Sequence, residues 1–500
     1  MSCKYRVFFT DKKDVVFNPY EYFDAKAIER RVRLGIPLSD SSDYPVNESY
    51  VHSVAAVVDS LSYQSRWLNE VTVFSTPSAM VAVAALPFVK KIEYAEGYAA
   101  VCSVTGVQKK LSAADSALLE FQTERMQGSL FREKNINGKG IRIAVFDAGF
   151  PGVNTSRVFE HIRKEGRIIK TFDFVTGKDF VYHANAHGTA VFSCIGGMDA
   201  SRCTGLATGS EYLLARTENI LTETLSEEEN WLAAAEWADK NGAQIINSSL
   251  GYTYKRYFNT EMDGKKSLAA RAAGIAAAKG ILVISAAGND GDNIWHNIAT
   301  PADADSTLAV GGTDPYTDLH AGFSSFGPSS DGRIKPNVSA PGIAAAASPS
   351  GLIVLQGTSV SAPLVTGFAA CAWQAGNTNN NMDLLRDIEK SGHLYPYFDY
   401  AHGYGIPQAS FFTGPHSEPV PTFGFETNEV SVRIVLKEDP LPLAGKKHLY
   451  YHIEDAEGKL KHYTAVYAEQ REVFSIPLSR YSKGSLLVVH YEGYTSSYRF

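Results

Sequence analysis

The amino-acid sequence predicts a doubly wound parallel α/β sheet, flanked by an N-terminal α+β module and a C-terminal all-β domain. Three observations support this fold class. Apolar runs such as residues 141–146 are typical of strands that are buried on both faces. Helix-like segments at 227–241 and 266–279 alternate with such runs. From residue 430 to residue 436, apolar side chains recur at every second position, which indicates a strand with one buried face.

Residues 1–100 form the predicted N-terminal module. Asp24 is a predicted helix cap, Gly35 ends the same helix, and Ser75-Thr76-Pro77 supplies a cap and a proline for the first turn of another helix. The predicted strands are 5–10, 67–74 and 91–95, and the predicted helices are 26–34, 51–62 and 77–86. The helix at 26–34 is an additional element, and the order of the others is broadly βαββαβ, which is typical of a small ferredoxin-like fold.

Changes in composition set the other boundaries. Residues 101–139 are polar and charged, as expected of a linker. Residues 140–412 contain the alternation of strands and helices, and they form the predicted central domain. Residues 418–500 show strand-like runs without helices, which predicts a closing β-sandwich.

Bulk composition excludes several classes of function. The net charge of −7 is mild, so no basic surface for nucleic acid is indicated, and no apolar run is long enough to span a membrane. The five cysteines are too scattered for a disulfide framework or a zinc ribbon. A Cys194–Cys203 bridge and two buried thiols are both compatible with the spacing.

Four short segments carry residues suited to chemistry. Asp147 ends the apolar run at 141–146, His187 precedes Gly188 and Thr189, Asn289 follows the small residues of 285–288, and Ser359 lies in Gly-Thr-Ser-Val-Ser-Ala-Pro. Each has an ordinary structural alternative. Asp147 could be a helix cap, Asn289 a turn residue and Ser359 an N-cap.

A metal site is the competing interpretation for the histidine segment. His183 and His187 stand four residues apart, but the glutamate of the HExxH pattern is missing between them. Taken together, the four segments instead supply a nucleophile, a base, an acid that orients the base and a donor for an oxyanion. They follow the chain order Asp, His, Ser, and the sequence contains no GxSxG elbow of the α/β-hydrolases.

These segments resemble the subtilase family of serine proteases. The resemblance rests on Asp147 in the strand-D-x-G segment, His187 in HGT, Asn289 in AAGN and Ser359 in GTSxSAP, with further similarity at 323–328 and 335–342. It implies a subtilisin-type fold for 140–412, with Asp147, His187 and Ser359 as the catalytic triad and Asn289 in the oxyanion hole. Val360 and Ser361 depart from the methionine and alanine that are commoner in the family.

The resemblance also implies a substrate pocket. A large apolar side chain before the scissile bond is expected to fit, and Asp290 at the rim could admit basic side chains. The two implied walls are Ser249, Leu250 and Gly251 on one side and Ala286, Ala287 and Gly288 on the other.

By the same resemblance, the N-terminal module is similar to an inhibitory propeptide, and the protein is expected to be made as a zymogen. Cleavage is expected between residues 98 and 127, where Lys109-Lys110 offers a dibasic sequence. Catalysis is expected to need no cofactor. Whether the protein binds a structural calcium ion stays open, because Asp303 and Asp305 form no recognisable loop pattern.

The expected partners are protein or peptide substrates and the protein's own N-terminal module, with the oligomeric state open. The first residues lack the apolar region of a signal peptide. We expect a secreted or cell-envelope protein whose leader lies outside this numbering, with a cytoplasmic location as the alternative. A catalytically inactive scaffold is the rival from another functional class, and an esterase or exopeptidase on the same fold is a second rival.

Overall fold

A computed structural model of the chain describes residues 2–95, 108–200, 202–219, 225–253, 256–376, 380–415, 418–437, 447–468 and 473–500. The strands are β1 Cys3–Phe9, β2 Ser60–Ser65, β3 Glu70–Ser75, β4 Val89–Tyr94, β5 Gln108–Lys110, β6 Arg142–Asp147, β7 Ile168–Asp173, β8 Met198–Asp199, β9 Arg202–Cys203, β10 Glu211–Arg216, β11 Ile245–Ser248, β12 Leu282–Ala286, β13 Thr307–Thr313, β14 Val338–Pro341, β15 Ile343–Ser348, β16 Gly351–Gln356, β17 Phe423–Thr427, β18 Ser431–Leu436, β19 His448–Glu454, β20 Leu460–Tyr467, β21 Val473–Pro477, β22 Leu486–Tyr491 and β23 Tyr494–Arg499. The helices are α1 Pro19–Tyr22, α2 Ala25–Leu34, α3 Glu48–Ala55, α4 Pro77–Ala84, α5 Leu118–Glu124, α6 Gly128–Glu133, α7 Glu160–Lys164, α8 His187–Gly196, α9 Leu225–Lys240, α10 Leu268–Ala278, α11 Thr358–Gln374, α12 Asn381–Lys390 and α13 Ser410–Thr413.

The N-terminal unit is a four-stranded antiparallel sheet in the order β2-β3-β1-β4. Apolar residues of α3 and α4 pack on one face of this sheet, around Val7 and Val71. The predicted helix over 51–62 is wrong at its end, because α3 stops at Ala55 and Ser60–Ser65 form β2. Pairing with β3 supplies the backbone hydrogen bonds of this segment, a long-range contact that helical spacing of apolar residues cannot reveal.

The central unit contains the predicted parallel sheet. Its seven strands lie in the order β14-β13-β12-β11-β6-β10-β7, and every neighbouring pair is parallel. Residues of α8, α11 and α12 pack in the core on one side of the sheet, and residues of α9 and α10 pack in the core on the other side. The chain changes direction across the sheet at β6 and β11, and such a switch point is where open α/β sheets bind ligands.

The C-terminal unit consists of two antiparallel sheets, β17-β18-β21 and β20-β19-β22-β23. Val432 and Ile434 from one sheet share a core with Leu449 and Leu487 from the other. Tyr450 of this unit also packs against Leu394 and Tyr397 of the central unit. Among the described residues, no helix has the length and apolar character needed to cross a bilayer.

The state of the cysteine thiols decides between the two interpretations of Cys194 and Cys203. Cys3, Cys194, Cys203 and Cys371 are all free, so Cys194 and Cys203 form no bridge, and Cys102 lies outside the described residues. Burial raises the pKa of the Cys194 thiol to about 12, which keeps it protonated and unreactive.

Buried charges join the N-terminal unit to the central unit. Asp239 on α9 accepts hydrogen bonds from both Arg30 and Arg31 of α2, with 2.7 Å between Arg31 Nη2 and Asp239 Oδ2. Asp43 pairs with Arg31 at 3.0 Å and with Lys279 Nζ at 2.7 Å. All five residues are buried. Each of these charges is buried away from water. Removing one partner therefore leaves the others unpaired in an apolar environment.

We therefore expect Arg31→Met to destabilise the intact chain by about 3–5 kcal/mol, the usual cost of breaking a buried ion pair on one side. Denaturant unfolding of the full-length protein measures the effect. Arg33→Met on the exposed side of the same helix is the matched control and should change stability by less than about 1 kcal/mol. Equal stability of the two variants would contradict the role assigned to this ion network.

Candidate active site

Two predicted site residues meet at the carboxyl end of β6. Asp147 is the last residue of this strand and is fully buried, and His187 is the first residue of α8. His187 Nδ1 lies 2.8 Å from Asp147 Oδ1, which also accepts the backbone N–H of Ala148 at 2.8 Å. Since Nδ1 donates to the carboxylate, Nε2 carries the lone pair of the neutral imidazole.

Small residues make this approach possible. A Cβ atom on Gly188 would lie 2.4 Å from the carbonyl oxygen of Gly149 and 2.9 Å from Asp147 Cβ. A side chain at residue 188 would therefore push α8 away from β6. Asn185 Oδ1 accepts the N–H of His187 at 2.7 Å and fixes the start of the helix. The His-Gly pair in the sequence thus has a packing reason.

Ser359 is the second residue of α11 and is 7% exposed. Gly357, two residues before Ser359, has a φ of 145°, which lies in a region that favours glycine. Backbone N–H groups and the macrodipole at the start of a helix favour negative charge. His187 Nε2 has no hydrogen-bond partner among the described residues, so no other group there competes for its lone pair.

Asn289 lies beside Ser359. Its Oδ1 accepts the backbone N–H and the hydroxyl of Thr358 at 2.8 and 2.9 Å, which determines the orientation of the amide. A Cβ atom built on Gly357 would lie 3.1 Å from Ser359 Oγ and 3.3 Å from Asn289 Nδ2. The Ser359 hydroxyl oxygen and the Asn289 amide N–H group therefore lie close to the same glycine. Thr358, which orients the amide, was not singled out from the sequence.

The two predicted walls occupy adjacent strand ends. Ser249, Leu250 and Gly251 follow β11, Ala286 ends β12, and Ala287 and Gly288 come directly after it. The Ala299 methyl group lies between the walls, 2.9 Å from a Cβ placed on Gly251 and 3.3 Å from one placed on Gly288. Ala299 was also missed, because only the three-dimensional structure brings it to the two glycines.

Two acids lie near these segments. Burial raises the pKa of Asp290, whose backbone N–H donates to Ser325 Oγ. Burial and, after it, the charge of Asp147 raise the pKa of Glu218 to about 8. Glu218 follows the apolar strand β10. No feature of the sequence there indicates that this acid is buried near Asp147.

The alternative metal pair is not brought together. His183 Nε2 lies 3.1 Å from Asp173 Oδ2, whereas His187 is hydrogen-bonded to Asp147. Within the described ranges, no group of three or more His, Cys, Asp or Glu residues could hold a metal ion. Asp303 Oδ2 accepts the N–H of Gly264 at 2.8 Å, and Asp305 pairs with Arg333.

Comparison with known proteins matches two parts of the chain. Residues 138–405 match the model of the subtilase family, and residues 4–112 match the model of the peptidase S8 propeptide domain of Bacteroidota. A solved structure, MycP1 with its N-terminal propeptide removed, is 22% identical, with a TM-score of 0.48 over 60% of this chain and 99% of that chain.

Curated relatives include several bacterial proteases. Serine protease AprX of Bacillus subtilis is 29% identical over 55% of this chain and 66% of the relative. Subtilisin DY of Bacillus licheniformis is 30% identical over 47% of this chain and 76% of the relative. The thermophilic serine proteinase of Bacillus sp. strain AK1 is 30% identical over 50% of this chain and 56% of the relative.

The matched part thus spans just under two thirds of AprX and little more than half of the thermophilic proteinase. More than half of this chain is covered by the subtilase model, and that region contains both the parallel sheet and the segments around Asp147, His187 and Ser359. The chain belongs to the subtilase family.

Proposed function

We propose that the protein is a serine endopeptidase of the subtilisin type. The observation that carries this proposal is the buried Asp147–His187 hydrogen bond, which leaves His187 Nε2 available as a base. Ser359 at the start of α11 supplies the nucleophile, and the Asn289 amide lies beside its hydroxyl. An inactive scaffold would not need to keep all four groups.

The reaction follows from these positions. Ser359 Oγ attacks the peptide carbonyl while His187 Nε2 takes its proton, and the imidazolium then donates a proton to the leaving amine. Asp147 holds the imidazole tautomer and stabilises its positive charge. The Asn289 amide and the Ser359 backbone N–H stabilise the oxyanion. Water then attacks the acyl-enzyme by the same route, and the hydrolysis needs no cofactor.

Substrates would bind along 249–251 and 286–288, with the side chain before the scissile bond between the two walls. Apart from Ser249, the wall residues are small or apolar, which supports an apolar residue there, as the resemblance implies. The Ala299 methyl group limits the depth of the space between Gly251 and Gly288. A polypeptide substrate in extended conformation could also form backbone hydrogen bonds with these segments.

For the N-terminal unit we propose an inhibitory propeptide of ferredoxin-like fold, covering 1–100, which keeps the protein a zymogen. Its antiparallel strand order and its ion network with α9 support this. Residues 101–139 would be the linker, although 98–107 of the expected cleavage region lie outside the described residues. Lys109 and Lys110 lie on β5, paired with β16, so cleavage there would require β5 to detach.

The remaining assignments rest on domain position. Residues 140–412 would be the catalytic domain, and 418–500 a β-sandwich that supports it, since Tyr450 and His452 contact the central unit. Proteins or peptides and the N-terminal module would be the partners. A secreted or cell-envelope location agrees with the proposed zymogen.

Replacing the nucleophile tests the mechanism directly. Ser359→Ala should lower peptide hydrolysis by at least about a thousandfold and abolish labelling by a fluorophosphonate probe, because the proposed acyl-enzyme forms on the Ser359 hydroxyl. Casein cleavage followed by mass spectrometry measures both internal cleavage and its loss. Ser361→Ala, two residues further along α11, should keep activity. Full activity of Ser359→Ala would remove the mechanism.

A second variant tests the oxyanion donor. Asn289→Ala should lower kcat by about a hundred- to a thousandfold with little change in KM, since the amide acts on charge that develops in the transition state. Steady-state kinetics on a peptide substrate separate the two constants. Asn293→Ala on the same loop is the control. A variant that changed only KM would assign Asn289 to substrate binding instead.

A third experiment tests the zymogen. The intact chain should be much less active than the processed form, and Arg31→Met should accelerate activation, because it weakens the docking of the N-terminal unit on Asp239. Activity and N-terminal sequence are followed together over time, with Arg33→Met as control. If full-length protein is as active as processed protein, the N-terminal unit is not an inhibitor.

A further inference from the structure

Two aromatic side chains stand at the surface of the segment between β7 and α8. Phe180 is 54% exposed, and its ring is parallel to that of His183, with an angle of 1° and 5.7 Å between the ring centres. The His183 side chain is 38% exposed. Neither residue takes part in the proposed hydrolysis. We refer to Phe180 and His183 as the aromatic platform.

Buried charges hold the platform in place. His183 Nε2 lies 3.1 Å from Asp173 Oδ2 and 3.2 Å from the carbonyl oxygen of Phe180. Asp173 is fully buried at the end of β7, and its Oδ2 also accepts from Arg216 Nη1 at 3.0 Å. Its Oδ1 accepts the backbone N–H groups of Val175 and Thr176. The imidazole orientation is therefore set without a substrate.

The platform adjoins the Asp147–His187 pair. Gly149, two residues after Asp147, forms an antiparallel bridge with Ala184. A Cβ atom on Gly149 would lie 2.2 Å from the carbonyl oxygen of His183, so the two segments are in close contact. The N–H of Phe150 donates to the carbonyl of Val181 at 3.0 Å. The segment that carries the platform is thus tied to the residues that follow Asp147, and it leads directly into His187.

We propose that the aromatic platform binds an aromatic or branched aliphatic side chain of the polypeptide substrate, at one position close to the scissile bond. This inference rests on the proposed endopeptidase function. An exposed phenyl ring gains free energy when a second apolar side chain removes it from water. Because Asp173 and Arg216 already fix His183, little conformational entropy is lost on binding. The platform would therefore contribute to substrate selectivity and leave the hydrolytic chemistry unchanged.

The test compares cleavage profiles. The processed parent and Phe180→Ala are incubated with a peptide library, and the cleaved sites are quantified by mass spectrometry. At one position near the cleaved bond, Phe180→Ala should lower the preference for aromatic and branched aliphatic residues over alanine by about five- to tenfold. The rate of fluorophosphonate labelling should stay within about twofold of the parent.

Two further variants separate recognition from folding. Phe180→Tyr keeps the ring and should keep the preference. His183→Gln keeps a polar N–H group near Asp173 but loses the stacked ring, so it should weaken the preference at the same position. Tyr467→Ala, which removes a partly exposed aromatic of the C-terminal unit, is the control and should keep the parent profile.

The outcomes distinguish the two proposals. An identical profile in the parent and in Phe180→Ala, with normal labelling, overturns the platform and leaves the endopeptidase function intact. A parent protein that neither labels nor cleaves overturns the proposed function and the platform with it. If Phe180→Ala lowers cleavage uniformly at every position of the substrate and slows labelling, Phe180 has a structural role. This outcome also overturns the platform.

Discussion

The geometry of the candidate site depends on the close approach of α8 to the end of β6. This approach lets a fully buried carboxylate accept a hydrogen bond from His187 Nδ1 at 2.8 Å. An isolated buried carboxylate is costly, and here the imidazole and the backbone N–H of Ala148 stabilise it. Gly188 is required for this approach, since a side chain there would collide with the Gly149 carbonyl and Asp147 Cβ. Gly149 is required by the segment before α8, because a side chain there would collide with the His183 carbonyl.

The second organising feature is the set of charged side chains that are buried between the N-terminal unit and the central unit. Arg30 of α2 donates to the backbone carbonyl groups of Ala243 and Lys279, which precede β11 and β12. The N-terminal unit is therefore anchored at the amino ends of these strands, whereas Asp147 lies at the carboxyl end of β6. The anchor and Asp147 therefore lie at opposite edges of one sheet. Mutations of the anchor can consequently change the docking of the N-terminal unit without touching Asp147 or His187.

Much of the central fold was predictable because its signals are local. An apolar run that ends in Asp147 predicts a buried strand and its end, and Gly280 after an alanine-rich helix predicts where the helix stops. The segment at 60–65 was misjudged because its pairing with β3 is a long-range contact. Ala299, Thr358 and Glu218 gave no local signal, since their surroundings are assembled from segments far apart in the chain.

By itself, the sequence determined which chemistry we propose for the chain. It carries an acid, a histidine, an amide and a serine in motifs that resemble those of the subtilase family, together with a strand–helix order that predicts a parallel sheet. Only the tertiary structure decided how these groups are oriented. Thr358 fixes the Asn289 amide, Asp173 fixes the His183 ring and Ala299 lies between the walls. Such contacts depend on the packing of distant segments, and no pattern along the chain encodes their distances.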